Sequence, residues 1–279
     1  MSSSVKAILK ELGLSPRKAL GQHFLTSCTA LSSILAAAEI KPRTHVIEIG
    51  PGLGILTTGL SNLGARVQAI ELDVEMARAL TEMFDDDPNV SIIQGDARQI
   101  KIDEWISPQE EYIVVANLPY YAARFIIRQF LESHHRPKRM VVTVQREVAE
   151  EMTAHSGRLS LLSVGIQFYA RARIITLVPP VAFYPPPKVT SAIVTLDVLD
   201  DPVLARPHWK GFFTLVRAGF NTPRKQLRGA MSLALGKPAD CVADLLREGG
   251  VDSTRRAETL AIEEWVELYR AFERTGWLS

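Results

Sequence analysis

A glycine-rich stretch between an apolar run and a helical pattern constrains the fold most. Residues 45–49 (HVIEI) run directly into the glycine-rich sequence GPGLG at 50–54, and residues 55–64 (ILTTGLSNLG) then have helical spacing. This order predicts a strand, a tight loop and a helix. Because glycines let the backbone turn sharply and come close to a ligand, the loop also indicates a site for a nucleoside-containing molecule.

The remainder of the first 200 residues repeats this alternation. Strand patterns occur at 66–72, 90–96, 112–118 and 140–145, and helical patterns occur at 74–84, 121–132 and 146–154. Strands and helices in alternation predict an α/β fold with a mostly parallel sheet. Two further apolar runs, SVGIQFYA at 163–170 and SAIVTLDV at 191–198, are expected to extend the sheet. Residues 178–189 contain five prolines, so they are predicted to form a rigid loop between the last two strands.

The pattern changes near Asp200-Asp201-Pro202, beyond which only helical patterns follow. We therefore expect two domains, 1–200 with a basic N-terminal extension at 1–25, and an all-helical domain at 201–279. Residues 203–230 contain six basic residues and no acid. Such a segment contacts nucleic-acid phosphates or is a solvated basic face, and charge alone does not separate the two.

Three carboxylates accompany the predicted strands. Glu71 ends the second strand about 20 residues beyond Gly50, the spacing at which an acid binds ribose hydroxyls in nucleotide-binding α/β folds. Glu48 lies just before the glycines, where it would repel a pyrophosphate but attract a cationic ligand; this favours S-adenosylmethionine over NAD. Asp96 ends the third strand and is interpreted either as an acceptor for the adenine amine of the cofactor or as a helix N-cap.

The tetrapeptide Asn117-Leu118-Pro119-Tyr120 ends the fourth strand. Its polar groups suit a reaction at an exocyclic adenine amine, which is a poor nucleophile because its lone pair is delocalised into the ring. Acceptors such as the Asn117 side-chain oxygen and the Leu118 carbonyl can hold its hydrogens and aim the lone pair at a methyl group, while Tyr120 offers a face for stacking. In isolation the same tetrapeptide also fits a turn with a core tyrosine.

Other classes of protein are disfavoured. The six histidines have no spacing typical of a metal site, so no metal is expected. No apolar run is as long as a membrane span and no secretory signal is apparent, so a cytoplasmic protein without membrane contact is expected. A monomer is the default expectation.

The chain resembles the KsgA/RsmA family of bacterial small-subunit ribosomal RNA adenine dimethyltransferases. The resemblance rests on ten stretches in order along the chain: LGQHFL (20–25), EIGPGLG (48–54), ELD (71–73), GDA (95–97), NLPY (117–120), QREVA (145–149), GRLS (157–160), FYPPPKV (183–189), RAGF (217–220) and RAETL (256–260). It implies a Rossmann-like class I methyltransferase sheet of seven strands with a small C-terminal helical domain.

The resemblance also implies roles for individual residues. S-adenosyl-L-methionine would be contacted by His23, Leu25, Gly50, Glu71, Asp96 and Asn117, to which the loop argument adds Glu48 and Gly52. The target adenine would be held by Asn117, Leu118 and Tyr120, with Phe183 packing on its other side. The charge of segment 203–230, rather than the resemblance, points to Arg217, Arg224, Lys225 and Arg228 of the helical domain as contacts for RNA phosphates.

The substrate implied is a pair of adjacent adenosines in the 3′-terminal hairpin loop of small-subunit (16S) rRNA, within the assembling small ribosomal subunit. Each would receive two methyl groups. Two alternatives remain: a large-subunit rRNA adenine N6-methyltransferase of the erythromycin-resistance type, and a non-catalytic RNA-binding relative. Cofactor binding separates the second of these from an enzyme.

Overall fold

The computed structural model describes residues 2–107 and 109–278. Over these the chain divides into two compact units. The first is built from the described residues of Met1–Ala149 and Arg171–Val198, and the second from those of Glu150–Ala170 and Leu199–Ser279. The chain passes from the first unit to the second for the last time between Val198 and Leu199, next to the boundary predicted near residue 200. Residues 150–170, which the sequence analysis placed in the first domain, instead pack with the second unit.

The first unit is organised around a sheet. The strands are β1 (Phe24–Leu25), β2 (His45–Ile49), β3 (Arg66–Glu71), β4 (Val90–Gln94), β5 (Tyr112–Asn117), β6 (Arg139–Gln145), β7 (Ala170–Val178), β8 (Phe183–Tyr184) and β9 (Ser191–Val198). Seven of the described strands form one sheet in the order β4-β3-β2-β5-β6-β9-β7. Neighbours from β4 to β6 are parallel and β9 is antiparallel to β6. The predicted α/β fold with a mostly parallel seven-stranded sheet is confirmed.

The two remaining strands pair with each other. Antiparallel β1 and β8 place Phe24 opposite Tyr184 and Leu25 opposite Phe183. The proline-rich segment 178–189 does connect the last two strands of the main sheet, as predicted, and it contains a short 3₁₀ turn, Pro180–Ala182, before β8.

Helices follow the strands. In the first unit they are α1 (Ser2–Glu11), α2 (Cys28–Ala38), α3 (Ile55–Asn62), α4 (Val74–Met83), α5 (Ile102–Trp105) and α6 (Ala123–Glu132). Helix α7 (Arg146–Met152) begins in the first unit and ends in the second, which continues with α8 (Leu161–Gln167), α9 (Trp209–Phe220), α10 (Leu227–Leu235), α11 (Ala239–Glu248) and α12 (Ile262–Glu273). Further 3₁₀ turns span Lys18–Leu20, Arg206–His208 and Ala257–Thr259.

The apolar core of the first unit lies on the central strands. Val46, Val67, Val115, Val141 and Ile193 are fully buried in one cluster. Every residue of β2 is buried, as expected of a parallel strand covered on both faces. Since the carboxyl ends of β2, β3, β4 and β5 lie at the same edge of the sheet, the polar residues that end these strands are brought together there.

The prediction of a strand at 163–170 is wrong. Ser160 begins helix α8 instead: its hydroxyl accepts a hydrogen bond from the Ser163 N–H at 3.2 Å, and the Ser163 hydroxyl accepts one from the Ser160 N–H at 2.6 Å. This capping box favours a helix over a strand. The strand that completes the sheet starts only at Ala170.

Aromatic residues explain why this segment belongs to the second unit. The Phe168 ring lies 4.8 Å from that of Phe212, 5.0 Å from Phe213 and 6.0 Å from Trp209. Phe168 is itself fully buried. Burying a phenylalanine in such a cluster stabilises the helical unit by roughly 1.5–3 kcal/mol.

Candidate active site

The glycine-rich loop that follows β2 is shaped by its lack of side chains. Gly50 and Gly52 have φ values of +69° and +58°, in the left-handed region that favours glycine. A Cβ at Gly52 would lie 2.9 Å from the Phe24 ring. The loop therefore packs directly against the LGQHFL segment, and no larger residue fits at Gly52 without displacing Phe24.

One cavity of the first unit lies beside this loop. Every residue to which the sequence analysis assigns a catalytic or cofactor-binding role lines it except Phe183. These lining residues are His23, Leu25, Glu48, Gly50, Gly52, Glu71, Asp96, Asn117, Leu118 and Tyr120. Residues from five separate motifs thus meet at one place. Four of these motifs end neighbouring parallel strands, as expected, and the fifth, LGQHFL, carries β1 of the two-stranded sheet.

Glu48 is a fully buried carboxylate in the wall of this cavity. Neither of its oxygens has a hydrogen-bond partner among the described residues. Burial raises the pKa of Glu48 to about 8; the nearby Thr57 hydroxyl lowers it somewhat, and the charge of Glu71 adds to the rise. Because an unpaired buried carboxylate is costly, the site is suited to a ligand that brings a positive charge.

Glu71 supports the loop from the end of β3. Its carboxylate accepts hydrogen bonds from the Gly52 N–H at 3.3 Å and from the Asp73 N–H at 2.9 Å. Burial raises the pKa of Glu71, and these two backbone donors counteract the rise. Since a carboxylate has about four acceptor sites, Glu71 retains capacity to bind the hydroxyls of a ribose.

Asp96 does not cap a helix, since α5 begins only at Ile102. It is instead bound by Arg98. The Arg98 Nη2 lies 2.6 Å from Oδ2, Nε lies 3.0 Å from Oδ1, and the Arg98 backbone N–H donates to Oδ1 at 2.9 Å. Hydrogen bonding from the Arg98 side chain lowers the pKa of Asp96. Asp96 is thus an oriented anion at the cavity wall, with lone pairs remaining for an amine donor.

Asn117 is oriented by the backbone of the LGQHFL segment. Its Nδ2 donates to the His23 carbonyl oxygen at 2.9 Å. A carbonyl can only accept, so this contact determines which end of the amide is the nitrogen. Asn117 therefore keeps its Oδ1 acceptor for another partner. His23 is held in turn, because its Nδ1 donates to the Pro185 carbonyl at 2.6 Å.

Leu118 and Tyr120 complete the NLPY motif. The Leu118 side chain is buried, and no described hydrogen bond ends on its carbonyl oxygen. The Tyr120 hydroxyl lies 2.6 Å from Ser191 Oγ, and burial raises the pKa of that tyrosine. The Tyr120 and His23 rings are stacked with centroids 5.8 Å apart. A base stacked between two rings needs them about 6.8 Å apart, twice the rise per base of a duplex strand. The His23 and Tyr120 rings are closer than this, so a base must stack on the face of Tyr120 that points away from His23.

Phe183 is the predicted site residue that the structure does not bring to the cavity. It is 3% exposed, lies in the apolar cluster of the first unit and pairs with Leu25 through β1 and β8. Its assigned role, packing on the target base, stays a prediction. In this arrangement its position instead makes it a support for β1, which carries Phe24 and Leu25.

Sequence reasoning missed several residues of the cavity. Phe24 packs on the glycine loop, Arg98 binds Asp96, and Tyr121 lies on the cavity wall. Phe24 and Tyr121 are adjacent to motif residues, a signal that could have found them. Arg98 likewise follows the GDA motif at 95–97, but its contact with Asp96 depends on a turn whose conformation the sequence does not reveal.

The basic residues proposed for RNA lie in the second unit. Arg217 is in the last turn of α9, Arg224 and Lys225 are in the turn before α10, and Arg228 is in α10; all are exposed. Arg228 pairs with Asp240 at 3.0 Å. Arg217 lines a cleft of this unit together with residues of the GRLS and RAETL motifs.

Two other kinds of site are absent from residues 2–107 and 109–278. No group of three or more His, Cys, Asp or Glu side chains there is arranged to hold a metal ion. None of the helices in the described part of the chain has the length and apolarity needed to cross a membrane.

Comparisons with known proteins agree with the resemblance. A family model described as ribosomal RNA adenine dimethylase matches residues 13–274. The chain is 42% identical over 268 residues to ribosomal RNA small subunit methyltransferase A of Dehalococcoides mccartyi, covering 96% of this chain and 92% of that protein.

Two solved structures extend these comparisons. A dimethyladenosine transferase from Plasmodium falciparum superposes with a TM-score of 0.80 at 25% identity, covering 91% of this chain and 98% of that one. The 23S rRNA methyltransferase ErmE gives a TM-score of 0.71 at 26% identity, covering 90% of this chain and 99% of that one.

Proposed function

Because the chain belongs to the ribosomal RNA adenine dimethylase family, we propose that it dimethylates the N6 amines of two adjacent adenosines in the 3′-terminal hairpin loop of small-subunit (16S) rRNA, using S-adenosyl-L-methionine. The observation that carries this proposal is the orientation of Asn117. Its Nδ2 is bound to the His23 carbonyl at 2.9 Å, which leaves an acceptor oxygen at the wall of the cavity.

The cavity residues fit S-adenosylmethionine. Its ammonium and sulfonium groups are positive and it has no phosphate, which suits a wall with three carboxylates, one of them the buried and unpartnered Glu48. In this proposal Glu71 binds the ribose hydroxyls and Asp96 accepts a hydrogen bond from the adenine amine. His23 and Leu25 line the same cavity and belong to the LGQHFL segment that packs against the glycine loop. When bound, S-adenosylmethionine supplies an electrophilic methyl group.

The chemical work of the chain is to orient the target amine. In the first transfer Asn117 Oδ1 and the Leu118 carbonyl accept the two N6 hydrogens, which draws the nitrogen toward a tetrahedral geometry with its lone pair toward the methyl group. In the second transfer one N6 hydrogen remains, and one of these two acceptors holds it. Positioning of this kind can supply a large part of a rate enhancement without proton transfer in the bond-forming step. The proton leaves afterwards to water, so no side chain needs to act as a general base.

Tyr120 holds the target base by stacking. Its hydroxyl is tied to Ser191 at 2.6 Å and one face lies against His23, so its ring is fixed before the base arrives. Bases of a single-stranded loop are extracted from their neighbours at low cost. A rigid aromatic face next to the Asn117 acceptor therefore suits an adenosine turned out of a hairpin loop.

The proposed partner is the rRNA of the assembling small ribosomal subunit. In this proposal the protein acts on it in the cytoplasm, as a monomer. Exposed Arg217, Arg224, Lys225 and Arg228 of the second unit would meet RNA phosphates. Such contacts add affinity that does not depend on sequence and position the RNA.

The test is to incubate the protein and S-adenosylmethionine with small ribosomal subunits that lack the modification, and to analyse the rRNA by mass spectrometry. We expect dimethyladenosine at two adjacent positions near the 3′ end. Modification of large-subunit rRNA alone would establish the erythromycin-resistance type of activity instead. Cofactor binding without modification of either rRNA would contradict the proposal.

A further inference from the structure

Helix α6 begins with an unusual set of exposed residues. Tyr121, which precedes the helix, and Phe125, in its first turn, are each 55% exposed. Arg124 between them and Arg98, which reaches the same place from the loop after β4, are also exposed. We call Arg98, Tyr121, Arg124 and Phe125 the α6 entry surface.

This surface does not belong to the apolar core. The buried side of α6 consists of Ala123, Ile126, Ile127, Phe130 and Leu131. Helical spacing turns Phe125 away from that side. Because Phe125 is 55% exposed and lies next to the equally exposed Tyr121, the two rings together offer an aromatic surface to another molecule.

The α6 entry surface is continuous with the cavity. Arg98 and Tyr121 line the cavity together with Asn117 and Tyr120. The Arg98 guanidinium lies 5.8 Å from the centre of the Tyr121 ring, within the range of a cation–π interaction. Tyr121 is therefore both part of the cavity wall and an exposed ring beside the cavity.

The charge of the surface suits a polyanion. Arg124 is an exposed cation in the first turn of α6. Arg98 is bound to Asp96 at 2.6 Å, and Arg128 in the next turn pairs with Glu132 at 2.6 Å. The Arg98 and Arg128 side chains remain 43% and 63% exposed, so their outer N–H groups stay accessible to phosphate oxygens.

We propose that the α6 entry surface holds the single-stranded nucleotides that flank the target adenosine, with one base stacked on Tyr121 and the next on Phe125. Arg98 and Arg124 contact the intervening phosphates. Alternating aromatic and basic side chains are the means by which proteins hold single strands without reading their sequence. This inference rests on the proposed function, because it takes RNA as the molecule that enters the cavity.

The variants to compare are Phe125→Ala, Tyr121→Ala and Phe125→Leu in the full-length protein. Binding of a fluorescein-labelled oligoadenylate is measured by anisotropy, and methylation of small ribosomal subunits gives KM and kcat. We expect Phe125→Ala and Tyr121→Ala each to weaken oligoadenylate binding and raise KM by about tenfold, as loss of a stacked base does. In Phe125→Ala, a position that does not line the cavity, the value of kcat should change less than twofold and cofactor affinity should not change.

Matched variants identify stacking as the cause. Phe125→Tyr should restore binding, whereas Phe125→Leu, apolar but not aromatic, should not. Leu233, 60% exposed in α10, is the control: Leu233→Ala should behave as wild type.

Three results would overturn the inference. One is wild-type oligoadenylate binding by Phe125→Ala and Tyr121→Ala. Another is full binding by Phe125→Leu. The third is reduced activity on subunits with unchanged oligonucleotide binding, which would identify the surface as a contact for ribosomal protein. If the wild type binds oligoadenylate through Phe125 but does not methylate subunits, the proposed function is contradicted, whereas the inference that the α6 entry surface binds single-stranded RNA is supported.

Discussion

The Asn117 amide nitrogen donates to the His23 main-chain carbonyl over 2.9 Å. This contact joins the end of β5 to the segment that carries β1, and it makes the orientation of the Asn117 oxygen a property of the backbone. A substitution at Asn117 that removes the amide nitrogen therefore loses the link that aims the acceptor, even where an acceptor oxygen is kept.

The first prediction concerns this acceptor. Asn117→Ala should lower kcat/KM for rRNA methylation by at least roughly 100-fold, the scale seen when one oriented polar contact to a transition state is removed. Asn117→Asp keeps an acceptor oxygen but faces the His23 carbonyl with a second one, so it should also be impaired. Thermal unfolding should show that both variants fold. Wild-type turnover by Asn117→Ala would remove the assigned role.

The second prediction concerns Glu71. Glu71→Ala removes the ribose acceptor and leaves the Gly52 and Asp73 N–H groups without their carboxylate partner, so the Kd for S-adenosylmethionine should rise at least about tenfold, the equivalent of 1.4 kcal/mol. Glu71→Gln keeps one acceptor oxygen, so its Kd should lie between those of wild type and Glu71→Ala. Calorimetric titration measures both. A Kd equal to that of wild type in Glu71→Ala would show that Glu71 does not contact the cofactor.

The third prediction concerns pH and Glu48. Its pKa rises from an ordinary value of 4.5 to about 8 because the carboxyl is buried, so the folded state keeps a proton that the unfolded chain releases. The contribution of this protonated carboxyl to the free energy of unfolding is complete below about pH 4.5 and is lost as pH rises through about 8. The unfolding free energy of wild type should therefore fall over this range by roughly a few kcal/mol relative to Glu48→Gln.

Ligand binding offers a second readout of Glu48. A cationic cofactor favours the ionised carboxylate, so binding at pH 7 should release a proton from wild type. Titrations in buffers of different ionisation enthalpy detect such a release, which should be smaller in Glu48→Gln. Equal proton release in the two proteins would show that Glu48 stays protonated in the complex.

The fourth prediction concerns Gly52. Gly52→Ala meets both a left-handed backbone and the Phe24 ring at 2.9 Å, and it should destabilise the fold by about 1–3 kcal/mol. Gly236 is the matched control, because its φ is +63° and a Cβ added there would meet no atom within 4 Å. Since Gly236→Ala shares the backbone cost without the contact, it should destabilise less. Similar losses of Tm in both would mean that Phe24 moves aside freely.

The fifth prediction concerns salt. If Arg224 and Lys225 neutralise RNA phosphates, replacing both with alanine should reduce the slope of log affinity against log salt concentration by about 1.4–1.8. Arg247→Ala, on an exposed arginine of α11 that pairs with Asp244, should leave the slope unchanged. Binding that is insensitive to salt in wild type would exclude this basic segment from the interface.

The cavity could be predicted because its residues sit at the ends of parallel strands. Glu71 and Asn117 each close an apolar run, and topology alone brings such ends to one edge. Phe183 could not be placed in the same way, since its position depends on the antiparallel pairing of two two-residue strands far apart in sequence. A pattern so short has no periodicity to detect.

The run at 163–170 shows a second limit. Its apolar residues fit a strand and a helix equally well, and the capping box at Ser160 with a serine at its third position is a weaker signal than one with a glutamate. What separates the two structures is Phe168, which packs among aromatic residues more than 40 positions later in the chain. Contacts between distant parts of the chain decide such short segments.

The crossing of the chain between its two units limits how this protein can be divided. Residues 150–170 lie with the helical unit, yet the chain returns to the sheet before the last crossing. A helical piece cut at residue 200 would leave Phe168 behind and open a hole beside Phe212 and Trp209. The helical unit is therefore encoded by two separate stretches of sequence, so recombination at a single point could not transfer it intact from one methyltransferase to another. Exchange of this unit requires two coordinated transfers, which favours its inheritance together with the sheet.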